Sequence, residues 1–180
     1  MQPDAGAERV PDVPTTVTSG RRTVARPWAG TAARLVLAAV WIAAGAAKVT
    51  DLAASGRAVN AYQLMPFPVA EVVGAVLPMF EIALGLLLLA GLAIRLAGVA
   101  SAVLLSTFVG GIASAWARGL SIDCGCFGGG GTLAAGQSPN YGPEIGRDIA
   151  FAALATFLIV YPRTRFSLDA RLLGNPSEER

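Results

Sequence analysis

Three long apolar runs restrict what this chain can fold into. Each run has about 20 residues and carries few or no charged side chains, the length at which a helix crosses the hydrocarbon core of a bilayer, roughly 30 Å. The three runs cover residues 28–47, 69–90 and 96–117. A soluble bundle of this size would have too little polar surface to cover them, so we expect lipid to be their solvent.

A fourth apolar run is shorter. It covers residues 148–161, and extension to Ile145 gives a predicted fourth span over 145–161. The fold class is therefore predicted as all-α, an integral membrane four-helix bundle. In the first loop between spans, residues 52–64 have mixed helical spacing and end at Met65-Pro66-Phe67-Pro68, which predicts a short interfacial helix stopped by proline.

The two ends of the chain lack an apolar period. Residues 1–27 are rich in proline and polar residues, which predicts a disordered tail. The membrane domain is predicted over residues 28–162, and residues 163–180 form a second tail. Arg21 and Arg22 are interpreted as positive charges that flank a span rather than as a twin-arginine export signal, because no apolar residues follow them at once.

Basic residues predict the orientation, because short cytoplasmic loops carry an excess of Lys and Arg. With the amino terminus inside, nine basic residues lie on the cytoplasmic side and four outside. The inner set is Arg9, Arg21, Arg22, Arg26, Arg95, Arg163, Arg165, Arg171 and Arg180, and the outer set is Lys48, Arg57, Arg118 and Arg147. Both termini are therefore predicted to be cytoplasmic, in a multi-pass protein of the plasma membrane.

Composition excludes several function classes. The chain has no histidine, which rules out Ser/His and Cys/His nucleophile pairs and zinc sites of the Cys/His type. The net charge is only +2 and aromatic residues make up 7%. Nucleic acid is therefore not an expected partner, whereas membrane lipid is.

The two cysteines, Cys124 and Cys126, are separated by one glycine and lie in the predicted second outer loop. Glycine permits the sharp turn that brings two such sulfurs together, so the pair suits a strained, reducible disulfide. Two alternatives stay open: small buried hydrophobic side chains, or half of a metal site shared with another chain. We predict the redox pair and no metal. A carboxylate at Asp123 would raise the pKa of the Cys124 thiol, which favours Cys126 as the nucleophile.

Two pairs of charges are also predicted. Glu81 lies about halfway along the second span, where an unpaired charge costs on the order of 3 kcal/mol. Counting inward from the helix ends gives Arg34 a depth within about 4 Å of Glu81, which predicts a structural ion pair. A proton or substrate role for Glu81 stays open. Lys48 and Glu71 lie at neighbouring span ends. They are predicted either to form an interfacial pair or to be solvated separately by water.

These motifs together resemble a known family. Arg34-Leu35, Gly45-Ala46-Ala47-Lys48, Leu77-Pro78-x-x-Glu81, Asp123-Cys124-Gly125-Cys126-Phe127-Gly128 and Arg147-Asp148 resemble the MauE branch of the DoxX-like membrane proteins over about residues 30–162. The resemblance implies a membrane protein of methylamine utilisation. It implies a role in forming disulfides of the methylamine dehydrogenase small subunit with a thioredoxin-like partner, and a fold similar to the vitamin K epoxide reductase-type carriers. Those carriers use more cysteines and a quinone.

The sequence therefore predicts a membrane thiol-disulfide redox protein. Cys124 and Cys126 would exchange with a thioredoxin-like protein or thiol client outside the cytoplasm, with Asp123 tuning a thiol. No cofactor is predicted, although the resemblance leaves a quinone open. A thiol-disulfide oxidoreductase, a non-catalytic scaffold for a redox enzyme and a small-molecule transporter using Glu81 all stay open.

Overall fold

The computed structural model describes residues 20–127, 129–134, 136–162, 164 and 168, with the backbone alone for residues 20–27. The described chain is mostly helical and contains one short antiparallel ribbon. The elements in chain order are α1 (Gly20–Val49), α2 (Leu52–Ala61), α3 (Phe67–Ala90), α4 (Ile94–Ala117), β1 (Ile122–Asp123), β2 (Gly131–Thr132) and α5 (Tyr141–Val160).

Three helices of the described chain are long and apolar enough to cross a membrane. They are the part of α1 from Trp28 to Val49, all of α3 and all of α4, and each agrees with a predicted span to within two residues. The chain is a membrane protein built on these three helices. α5 has 20 residues, and the fourth span predicted for residues 145–161 stays a prediction.

The first helix is longer than predicted. It begins at Gly20, so residues 20–27, which were assigned to the disordered tail, are helical. Extending a helix that has already formed needs no new nucleus, which accounts for the extra turns. The rest of the predicted tail, residues 1–19, and most of the predicted tail after residue 162 lie outside the described residues.

Helix α2 occupies the loop in which a helix was predicted. The Asp51 side chain caps it by accepting a hydrogen bond of 2.8 Å from the Ala54 amide. It ends at Ala61, before the predicted proline stop, where Gln63 takes a positive φ of 51°. Its position at a membrane interface stays a prediction.

Glycines set how closely the helices pack. A Cβ added at Gly45 of α1 would lie 2.6 Å from Ile82 Cγ1 of α3, and one at Gly85 of α3 would lie 2.7 Å from Ile42 Cγ1. These two contacts fix an antiparallel register between α1 and α3. In the core, Trp41 Nε1 donates a hydrogen bond of 2.9 Å to Ser101 Oγ and ties α1 to α4.

Gly74 marks the closest approach of α2 and α3. A Cβ at Gly74 would lie 2.4 Å from the Gly56 amide nitrogen, whereas a Cβ at Gly110 of α4 meets nothing within 4 Å. We expect Gly74→Ala to destabilise the protein by about 1 to 3 kcal/mol through overpacking. Gly110→Ala should leave stability unchanged or raise it by up to about 1 kcal/mol. Thermal unfolding in detergent compares them, and equal melting temperatures would contradict the close approach.

Candidate thiol site

A small ribbon holds the cysteines. Residue Asp123 of β1 pairs with Gly131 of β2, which closes the loop of residues 124–130. Tyr141, the first residue of α5, anchors the ribbon because its hydroxyl donates to the Leu120 carbonyl and accepts a hydrogen bond of 3.1 Å from the Ile122 amide. The loop is thus fixed to α5, and the Tyr141 ring also lies 6.0 Å from the Trp116 ring of α4.

The cysteine turn is shaped by local hydrogen bonds. Asp123 Oδ1 accepts a hydrogen bond of 3.0 Å from the Gly125 amide, and Gly125 takes a φ of 67°, in the left-handed region that favours glycine. The Cys126 amide then lies 3.4 Å from Cys124 Sγ and donates to it. Tyr62 from the end of α2 donates a hydrogen bond of 3.0 Å to the Cys124 carbonyl. Asp123 therefore shapes the turn directly.

The glycine-rich segment folds back against the turn. A Cβ at Gly130 would lie 2.3 Å from Gly125 Cα and 3.0 Å from Ala58 Cβ of α2. Glycine at both positions therefore lets two backbone segments of the loop come into contact next to α2. This part of the loop is packed structure rather than a linker.

The two thiols have different environments. Both cysteines are free, Cys124 is half-buried and Cys126 is 9% exposed. The hydrogen bond with Cys126, with Arg147 assisting, lowers the pKa of the Cys124 thiol although burial opposes this. The same partner and burial raise the pKa of Cys126 well above its usual range. The environments of the two thiols thus favour Cys124 as the thiolate, whereas the sequence-based argument, which considered only Asp123, favoured Cys126 as the nucleophile.

Arg147 of α5 is the cation of the site. Its Nη2 lies 3.8 Å from Cys124 Sγ, and its guanidinium lies 4.9 Å from the centre of the Phe127 ring. Asp148 Oδ1 holds the same group at 3.0 Å from Nη2. Arg147 therefore bridges the thiol, an aromatic ring and a buried carboxylate.

Glu144 brings a second carboxyl group to Cys124. Ligand atoms of Asp123, Cys124 and Glu144 all lie within 4.8 Å of one another, a spacing that would admit a metal ion. Burial, with Asp123 contributing, raises the pKa of Glu144. Because Arg147 already brings a positive charge to the Cys124 sulfur, we keep the prediction of a thiol site without metal.

Glu81 is paired with a residue other than the one predicted. Its Oε1 lies 2.6 Å from Lys48 Nζ, and its side chain is completely buried. The predicted Arg34–Glu81 pair is wrong because the contact between Gly45 and Ile82 places the end of α1 opposite Glu81. Arg34 lies 11 residues before Gly45, about 17 Å further along the helix axis.

The predicted interfacial pair of Lys48 and Glu71 is also replaced. Lys48 turns inward to Glu81, whereas Glu71 is exposed and its backbone lies against Gly56 of α2. The reason is that α2 folds onto the amino-terminal half of α3, where Gly56 lies against Glu71 and Gly74.

Two cavities meet at the cysteine turn. The first has a volume of about 190 Å³ and is lined by Cys124, Gly125, Cys126 and Lys48, with mainly apolar side chains from α2, α3 and α4. The second, about 260 Å³, lies between Asp51, Ser55, Gly125 and Gly130. Gly125 and Lys48 border both cavities.

Sequence reasoning missed several members of this site. Gly45, one turn before Lys48, was the signal for the ion pair, because glycine on an apolar helix permits close approach of a neighbour. Glu144 precedes Arg147 by three residues, a spacing that puts both on one helix face. Tyr62 carried no signal in the sequence.

Comparison with known proteins gives one match. The family model described as the methylamine utilisation protein MauE matches residues 26–161. No curated protein and no solved structure matches the chain. The placement of this family among DoxX-like proteins stays a prediction.

Proposed function

Because this chain belongs to the family of the methylamine utilisation protein MauE, we propose that it exchanges electrons with a thioredoxin-like protein or thiol client through Cys124 and Cys126. The family membership makes it a membrane protein linked to methylamine utilisation. The observation that carries the exchange is the asymmetric thiol pair, in which a half-buried thiol of lowered pKa contacts a buried thiol of raised pKa.

The exchange runs through Cys124. When the pair is a disulfide, a thiolate of the partner attacks Cys124 Sγ, the bond between the two sulfurs breaks, and Cys126 leaves and takes a proton. The partner's second thiol then attacks the partner sulfur of the mixed disulfide, and the Cys124 thiolate leaves. The partner loses two electrons and gains a disulfide, and the pair gains two electrons. Arg147 stabilises the released thiolate.

The same proposal includes four spans and an outward-facing site. With α5 as the fourth span, both termini are cytoplasmic and the cysteine loop lies outside the plasma membrane. Cytosolic thiol buffers do not reach that compartment, which favours disulfide chemistry. The basic-residue distribution supports this orientation.

Redox titration of the detergent-solubilised protein tests the exchange. We expect the pair to convert reversibly between dithiol and disulfide in glutathione buffers, at a potential above about −300 mV, the range below which structural disulfides fall. Mass counting of alkylated thiols gives the oxidised fraction at each buffer ratio. Cys126→Ser, which keeps the half-buried Cys124 thiol, should instead form a stable mixed disulfide with glutathione at Cys124.

Two outcomes would contradict the proposal. Thiols that stay free in oxidising buffer would favour the scaffold function, and a bond that resists reduction until below about −300 mV would be structural.

For the orientation, a membrane-impermeant thiol reagent should label mildly reduced intact cells, and labelling only after lysis would place the loop inside.

A further inference from the structure

We propose that the cavity beside the cysteine turn binds a quinone, which takes up the two electrons that the pair has received. This inference rests on the proposed thiol exchange, because a pair that oxidises client thiols must itself be reoxidised. The cavity has Cys124, Gly125 and Cys126 in its wall. Its occupant would therefore lie directly against the reduced pair.

The lining indicates a lipid-soluble occupant. Leu64, Met65, Val73, Leu77 and Leu104 supply apolar walls from α3, α4 and the segment before α3. Both helices are candidate membrane spans, so a lipid-soluble molecule matches the surroundings of this cavity. A volume of about 190 Å³ exceeds the roughly 150 Å³ cavity that binds benzene in a well-studied case, and it therefore holds a substituted six-membered ring.

Lys48 indicates an occupant with oxygen atoms. Its ammonium lines the cavity, is held at 2.6 Å by Glu81, and lies 5.8 Å from the centre of the Phe108 ring. An ammonium has three N–H donors and Glu81 takes one. A carbonyl oxygen of the ring would receive a charge-assisted hydrogen bond from Lys48, and Phe108 offers an aromatic surface beside it.

The electrons and protons balance with a quinone. A disulfide forms by loss of two electrons, which excludes a one-electron acceptor acting in a single step. The Cys126 S–H bond breaks and the bond between Cys124 and Cys126 forms. The Cys126 proton, one proton from water and the two electrons convert both ring carbonyls to hydroxyls. The product is a quinol, and Lys48 stabilises negative charge on the carbonyl oxygen as it is reduced.

Anaerobic oxidation by decylubiquinone tests the inference. The reduced protein in detergent is mixed with this probe, and both quinol formation and loss of alkylatable thiols are followed. Val73→Phe fills the cavity, whereas Val76→Phe makes the same change on the same helix at a residue that is 59% exposed and outside the cavity. We expect Val73→Phe to raise the half-saturating quinone concentration at least about tenfold and Val76→Phe to leave it unchanged.

A labelling measurement on the unaltered protein keeps the test independent of how Val73→Phe folds. A photoreactive azidoquinone should crosslink to cavity residues such as Met65 and Leu104, and excess decylubiquinone should prevent this. Crosslinks confined to lipid-facing positions such as Val76 would overturn the inference.

The remaining outcomes separate the two proposals. Equal oxidation of all three proteins, or no oxidation of the wild type by quinone while glutathione disulfide still oxidises its thiols, overturns the quinone site and leaves the thiol exchange standing. Failure with both oxidants overturns both.

Discussion

Replacing Lys48 by methionine is expected to lower the free energy of unfolding by about 3 to 5 kcal/mol, because it strands the Glu81 carboxylate in a position with no solvent exposure. The double variant Lys48→Met with Glu81→Leu should recover most of this loss, since apolar side chains of similar volume replace a buried ion pair at little cost. Unfolding in mixed micelles and melting temperatures in detergent rank the variants by stability.

A surface pair provides the matched control. Arg57 and Asp51 lie 3.8 Å apart with side chains 62% and 61% exposed, so Arg57→Met should change stability by less than about 1 kcal/mol. Strict additivity of the Lys48 and Glu81 changes would show that the two side chains are not coupled. A double-variant cycle with Arg34 should by contrast be additive with Glu81.

Cys124 is expected to be alkylated at least about tenfold faster than Cys126 at neutral pH, because its pKa is lowered while that of Cys126 is raised. The lowered pKa means that the Cys124 thiolate persists toward lower pH. Arg147→Met removes the positive charge and should move the pH midpoint of Cys124 alkylation upward. The alkylation rate at a fixed pH below that midpoint should then fall by about tenfold for each unit by which the Cys124 pKa rises. Mass spectrometry after timed iodoacetamide treatment measures each thiol separately.

Arg57→Met serves as the control for that measurement. Arg57 of α2 lies 3.8 Å from Asp51 rather than beside a cysteine, and its side chain is 62% exposed, so the Cys124 midpoint should not move. A faster reaction at Cys126 would restore the assignment that the neighbouring Asp123 suggested and would contradict the thiolate at Cys124.

The sequence predicted well which segments form the apolar helices. It predicted poorly how far these helices are shifted relative to one another along their axes. Span length follows directly from the thickness of the bilayer, so the runs beginning at residues 28, 69 and 96 matched α1, α3 and α4. The depth count for Arg34 and Glu81 assumed that both helices start at the same level. Contacts of Gly45 and Gly85 set the register instead, and such contacts depend on two segments at once.

The thiol site was predicted only in part for a similar reason. Cys124 and Cys126 are separated by one residue, and Gly125 between them indicated that their sulfurs could meet. The charge beside Cys124 comes from Arg147, 23 residues away, after the ribbon returns the chain to α5. A local rule that considered only Asp123 therefore gave the wrong direction for the Cys124 pKa, because the dominant neighbours were Cys126 and Arg147.

Two cavities share four lining residues, and these form the partition between them: Lys48, Ser55, Ala58 and Gly125. In a thiol exchanger of the kind proposed, a water-borne protein could approach from one side of this partition and a lipid-borne oxidant from the other. The two molecules could then bind at the same time, and their reactions would be coupled only through the oxidation state of the two sulfur atoms. Such a partition would let electrons pass between water and lipid while the molecules that carry them stay in their own phases.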